Sequence, residues 1–169
     1  VLSADKIDAV LTDLADATEQ AVSRLLQANA EDLDRMDESD PRYDRLRLTE
    51  DRLRDIASDL RKVASLPSPL GKTLKHKVLP NGLELTRISV PFGVIGVIFE
   101  ARPNVCFDCF ALCLKAGSAC VLKGGKDADC ANRAIVSVIK DVLAKHGVDA
   151  HSIGRLPATH EATAEMLHA

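Results

Sequence analysis

Apolar residues recur at helical spacing over the first third of the chain and at alternating spacing after residue 73. Ile7, Val10, Leu11, Leu14, Ala21, Val22 and Leu25 make one stripe within residues 3–28, which predicts a helix with Ser3 as its N-cap. Residues 29–43 are acidic and end in Asp40-Pro41, so they read as a loop or a short solvated helix. Leu46, Leu53, Ile56, Leu60 and Val63 form a second helical stripe with a polar outer face, and Pro67 and Pro69 end it, because proline cannot continue a helix.

From residue 74 the period falls to two. Residues 74–79 and 83–88 flank Pro80-Asn81-Gly82. That pattern predicts a β-hairpin whose Asn-Gly turn tolerates positive φ at both positions. Two strands alone are marginal in water, so the hairpin should pair with something further. Residues 94–99 are continuously apolar, as in a strand covered on both faces. Residues 104–115 read as a buried helix closed by Gly117, residues 119–122 as a second buried strand, and residues 127–145 as a long helix closed by His146-Gly147. Strand, helix, strand, helix is the parallel arrangement with right-handed crossovers. The expected class is α/β.

Charge divides the chain. Residues 1–66 hold 16 acids and 10 bases, whereas residues 67–169 hold 9 acids and 12 bases. The second part suits an anionic small molecule. No basic run and few aromatic residues argue against a nucleic-acid surface. No apolar run is long enough to span a membrane, and residues 1–5 carry no signal-peptide pattern. The five cysteines, at 106, 109, 113, 120 and 130, fit a reducing cytoplasm better than a disulfide framework.

Candidate chemistry lies at strand ends, where open α/β sheets bind ligands. After the second buried strand come Lys123, Gly124, Gly125 and Lys126. The glycines would let a ligand approach the backbone, and the free N–H groups of the following helix would favour an anion. Equally, the run reads as a solvated turn with two surface lysines. It matches neither a P-loop nor a GxGxxG motif. After the first strand come Phe99, Glu100, Ala101, Arg102, Pro103 and Asn104. Asn104 reads as a site residue or a helix N-cap, and Arg102 as a site residue or the ion-pair partner of Glu100. Cys106, Cys109 and Cys113 share one helical face without a histidine nearby, which reads as core rather than as a metal site.

The runs SVPFGVIGVIFEARPNV and LCLKAGSACVLKGGKDADCANRAI resemble the γ-glutamyl phosphate reductases, also called glutamate-5-semialdehyde dehydrogenases, of the aldehyde dehydrogenase superfamily. LPNGLELTRISVP and LPATHEATAEML resemble them too, and the likeness is most specific over residues 80–135. It implies amino-terminal helices over residues 1–70, a β-hairpin oligomerisation arm over 71–90, and over 91–169 the first half of a Rossmann-like cofactor domain. The chain would then be an amino-terminal fragment of a cytoplasmic homo-oligomer. The implied reaction reduces L-glutamyl 5-phosphate with NADPH through a cysteine thioester. None of the five cysteines here matches that nucleophile, so the fragment itself would be inactive.

The resemblance also assigns roles. Phe99, Glu100 and Ala101 would line the cofactor groove with Lys123, Gly124, Gly125 and Lys126. Asn104 would be the oxyanion donor, although an ungapped comparison puts Arg102 in that slot; Arg102 would otherwise meet the substrate phosphate. Many NAD-dependent aldehyde dehydrogenases carry Lys-Pro-Ser-Glu where this chain has Lys123-Gly124-Gly125-Lys126. An ammonium in place of that carboxylate would attract a ribose 2′-phosphate, which points to NADP(H). The alternative is a non-catalytic nucleotide-binding or dimerisation module.

Overall fold

A computed structural model describes residues 2–168. Its elements are α1 (Ala4–Gln20), α2 (Val22–Leu33), α3 (Tyr43–Leu46), α4 (Glu50–Ser65), β1 (Thr73–Val78), β2 (Glu84–Ile88), β3 (Val94–Ile98), α5 (Asn104–Lys115), β4 (Ala119–Lys123), α6 (Asp129–Lys145), β5 (Ile153–Arg155) and α7 (His160–His168). The class is α/β.

Strands β3, β4 and β5 form a parallel sheet in that order, with Val94 beside Ala119, Ile98 beside Lys123, and Cys120 beside Ile153. Helices α5 and α6 connect the strands. One core joins Ile95, Val97, Cys120 and Leu122 of the sheet to Phe107 and Phe110 of α5 and Ile135 and Ile139 of α6. The same core takes in Ile7, Leu11 and Leu14 of α1 and Leu53 and Leu60 of α4. Gly117 closes α5 as expected: it is left-handed (φ 69°), and its N–H and that of Ser118 bond the carbonyls of Leu114 and Cys113. His146-Gly147 closes α6 in the same way.

The structure corrects several expectations. The helix expected over 3–28 breaks at Ala21 (φ −91°, ψ 7°), where α1 ends with Ser3 as its cap. The break lets α1 pack on α4 while α2 packs on α6. Helix α2 then runs through Leu33, into the stretch read as an acidic loop. Polarity misleads there because Asn29 and Asp32 point inward. In the hairpin turn only Gly82 is left-handed (φ 81°); its N–H bonds the Leu79 carbonyl, and Asn81 stays at negative φ with its side chain accepting from Leu83 N–H. Strand β3 is not covered on both faces: Val94 and Ile98 are 69% and 47% exposed. On that face Met166 of α7 lies over Gly96. Strand β5 is too short to show a period, and α7 buries only Ala162, so neither was legible.

Buried polar groups tie the amino-terminal helices to one another and to the sheet unit. Asn29 donates to the Leu46 carbonyl (2.9 Å) and accepts from Leu48 N–H (2.7 Å). Lys115, at the end of α5, donates to Asp8 of α1 and to the Ala64 carbonyl of α4. The Asp32 carboxylate, fully buried at the end of α2, accepts from Cys130 N–H (3.0 Å) and Ala131 N–H (2.8 Å) at the start of α6. These two donors have no partner within their own helix, and a carboxylate suits the positive end of the helix dipole. Asp32→Ala is expected to cost about 2 kcal/mol, read as a lower denaturant midpoint at unchanged m-value; Asp32→Asn, which keeps one acceptor, should cost less.

Candidate nucleotide-binding edge

Parallel pairing brings the carboxyl ends of β3, β4 and β5 to one edge. Pairing continues one residue past the strands, with Phe99 N–H on the Lys123 carbonyl (3.0 Å) and Leu156 N–H on the Leu122 carbonyl (2.9 Å). The edge is therefore built from residues 99–103, 123–126 and 156–159. This places Phe99, Glu100, Ala101, Lys123, Gly124, Gly125 and Lys126 together.

The two glycines differ in what surrounds them. A Cβ on Gly124 would lie 2.4 Å from Asn132 Nδ2 and 3.2 Å from Phe99 Cζ, so its missing side chain makes room for protein rather than for ligand. Gly125 has only the Glu100 backbone nearby, at 3.6 Å or more, and its φ of −74° suits any residue. Lys126 begins a single 3₁₀ turn, Lys126–Ala128, ahead of α6. The helix therefore starts at Asp129 rather than at Asp127.

The first turn of α6 does not offer Cys130 and Ala131 N–H to an external anion, because Asp32 already occupies both. Two of the donors expected to be free at the start of this helix are therefore taken by the protein itself. Asp32 also pairs with Arg35. Asp127, beside Lys126, is bound by Arg42 at 2.9 Å.

Lys123 is half-buried at the edge and Lys126 is exposed. Among the described residues neither forms an ion pair. Lys126 lines a cleft of about 420 Å³ with Arg35, Asp129, Arg155, Pro157, Ala158 and Thr159. Sequence reasoning did not single out Arg35, Asp32 or Arg155. Their spacing carries no motif; only the fold brings Arg35 and Arg155 to the cleft of Lys126 and Asp32 to the start of α6.

Arg102 and Asn104 line a second cleft, of about 380 Å³, against α3 and α4, with Asp44, Arg45, Arg52 and Asp108 among its walls. Asn104 is the first residue of α5 rather than its N-cap, which is Pro103. Its amide donates to Asp108 at 3.1 Å. Burial raises the Asp108 carboxyl above its ordinary range. Glu100 and Arg102 share a backbone hydrogen bond of 3.2 Å but, among the described residues, no ion pair. Ala101 is buried against Leu46 and Ala128.

The five cysteines are free thiols, all buried except the half-buried Cys109. Burial pushes the thiols of Cys106, Cys109 and Cys113 upward and that of Cys120 up to about 12. A thiol held protonated is a poor nucleophile. Cys106 instead donates to Asn132 Oδ1 at 3.3 Å.

No family model matches the chain. Solved structures show the fold. A probable aldehyde dehydrogenase from Listeria monocytogenes superposes with a TM-score of 0.71 over 99% of this chain and 35% of its own, at 16% identity. The architecture is thus that of the aldehyde dehydrogenases over the part covered. The γ-glutamyl phosphate reductase of Thermotoga maritima fits more closely, with a TM-score of 0.92 at 29% identity over 98% of this chain and 41% of its own. In sequence the chain is 59% identical along its whole length to the γ-glutamyl phosphate reductase of Bacteroides fragilis, and 57% identical over 99% of it to that of Chlorobaculum parvum. The chain is therefore a relative of the γ-glutamyl phosphate reductases. It spans 41% and 40% of the length of these two curated relatives.

The glycine geometry separates packing from ligand access. Gly124→Ala is expected to destabilise the fold by about 1–3 kcal/mol, because Asn132 and Phe99 are packed around it. Gly125→Ala should change stability by less than about 0.5 kcal/mol. Paired urea titrations check both.

Proposed function

We infer that this chain forms the amino-terminal, cofactor-binding part of an NADP-dependent γ-glutamyl phosphate reductase. The whole enzyme would reduce L-glutamyl 5-phosphate to L-glutamate 5-semialdehyde, releasing phosphate, in proline biosynthesis. NADPH supplies the hydride when bound. The nucleophilic cysteine would come from outside this chain, since the five thiols here serve the core. By itself the chain would be inactive.

One observation carries the cofactor reading. Lys126 stands past the end of β4 in a cleft with two arginines, and the resemblance implies that NAD-dependent aldehyde dehydrogenases carry a carboxylate in its place. An ammonium there attracts a phosphate on the adenosine ribose, which a carboxylate would repel. Lys123, at the strand end, would reach the ribose, and the backbone of Phe99, Glu100 and Ala101 would line the nicotinamide side. Arg102 is the candidate for the substrate phosphate, because a guanidinium matches phosphate geometry. Asn104 remains the candidate oxyanion donor and would first have to leave Asp108.

The hairpin supports a homo-oligomer. Leu74, Val78, Leu85 and Ile88 are 57%, 56%, 49% and 52% exposed, and β1 and β2 pair only with each other among the described residues. Open strand edges and apolar faces of this kind are normally covered by another chain or segment. Free thiols and a biosynthetic role fit the cytoplasm. No described helix is long and apolar enough to cross a membrane.

Two outcomes test this reading in the full-length protein. Lys126→Glu should weaken NADPH binding at least tenfold and NADH binding by less than about threefold, measured by nucleotide fluorescence; equal loss for both would discard the cofactor assignment. Replacing residues 73–88 by a short Gly-Ser linker should lower the mass seen by light scattering to that of a smaller oligomer; an unchanged mass would remove the hairpin from assembly.

A further inference from the structure

We propose that Arg155 is a second specificity-determining residue, which leaves Asp129 to bind the 2′-phosphate of the dinucleotide beside Lys126. The proposal rests on reading the β4–α6 turn as the adenosine-ribose end of the site.

Arg155 ends β5, the strand next to β4, so the fold sets it on the wall of the cleft that Lys126 lines. Its Nη1 donates to Asp129 Oδ1 at 2.7 Å, and its side chain is 26% exposed. Asp129 has a second partner, with Arg133 Nε at 3.4 Å from Oδ2. Asp129 can therefore release Arg155 without becoming an uncompensated carboxylate. The other arginine of the cleft, Arg35, is among the described residues the one ion-pair partner of the buried Asp32 and cannot leave it without stranding that carboxylate. Among the described residues of the cleft, Lys126, which has no ion pair, and Arg155, whose carboxylate has a second arginine, are thus the cations able to turn to a phosphate, and of the two Arg155 brings a planar fork of donors.

The far wall of the cleft is set by the start of α7. Thr159 caps α7, accepting from Ala162 N–H at 3.2 Å. Arg133, paired to Asp129 from the other side, keeps the carboxylate from opposing the incoming anion at full charge.

Calorimetry with adenosine 2′,5′-bisphosphate and adenosine 5′-monophosphate on the full-length protein tests the idea without turnover. The wild type should bind the bisphosphate more tightly; if it does not discriminate, the NADP reading itself fails, and this inference with it. If it does, Arg155→Gln is expected to weaken the bisphosphate about tenfold, as for loss of a charged hydrogen bond, and to leave the monophosphate within about twofold. Retained preference, or equal loss for both ligands, would overturn the role of Arg155 alone. Arg155→Lys keeps a cation for Asp129 and guards against a folding defect; it should lose several-fold in preference, and full retention would also count against the proposal.

Discussion

The buried carboxylate of Asp32 is the contact on which the candidate site depends. It sits at the end of α2 and closes the amino end of α6 through two backbone N–H groups. Nearly one hundred residues separate the partners in sequence, yet their junction sets where α6 begins. The preceding turn, which carries Lys126, inherits that position. A carboxylate removed from water is costly unless its lone pairs are used. Here two amides and Arg35 use them, so the amino-terminal helices and the sheet edge hold one another in register.

The same contact redistributes charge. A helix start beside a sheet edge would ordinarily be an anion site, but at α6 the protein supplies the anion itself. What remains facing the cleft is side-chain charge: Lys126 without an ion pair among the described residues, Arg155 shared with Asp129, and Arg35 turned to Asp32. Recognition at this edge is thereby shifted from backbone donors, which read any phosphate, to side chains, whose identity can distinguish one nucleotide from another. Gly124 belongs to the same economy of space. It brings the turn against Phe99 and Asn132 and so couples the ends of β3 and β4.

Two surfaces remain uncovered among the described residues. One is the second face of β3, with Val94 and Ile98 outward; the other is the hairpin. Both are apolar backbone-rich surfaces of the kind that folded proteins normally bury. The γ-glutamyl phosphate reductases that match this chain are more than twice its length, so related proteins hold further chain that could serve such surfaces.

Local pattern was enough for much of the architecture. The stripe Ile7, Val10, Leu11, Leu14 dictates α1, alternation around Gly82 dictates the hairpin, and apolar runs separated by Gly117 dictate the β3–α5–β4 unit, because each follows from the period of one element. The Lys123–Lys126 turn was also legible, since it directly follows a strand. The break at Ala21, the inward turn of Asn29 and Asp32, the packing role of Gly124, and the meeting of Arg155 with Lys126 were not. Each depends on which surfaces face one another across the core, and a polar residue reads the same in sequence whether it meets water or a buried helix end. Chain order therefore determined the elements and the strand-end turn, whereas tertiary packing alone decided which charges are spent inside the fold and which are left to meet a ligand.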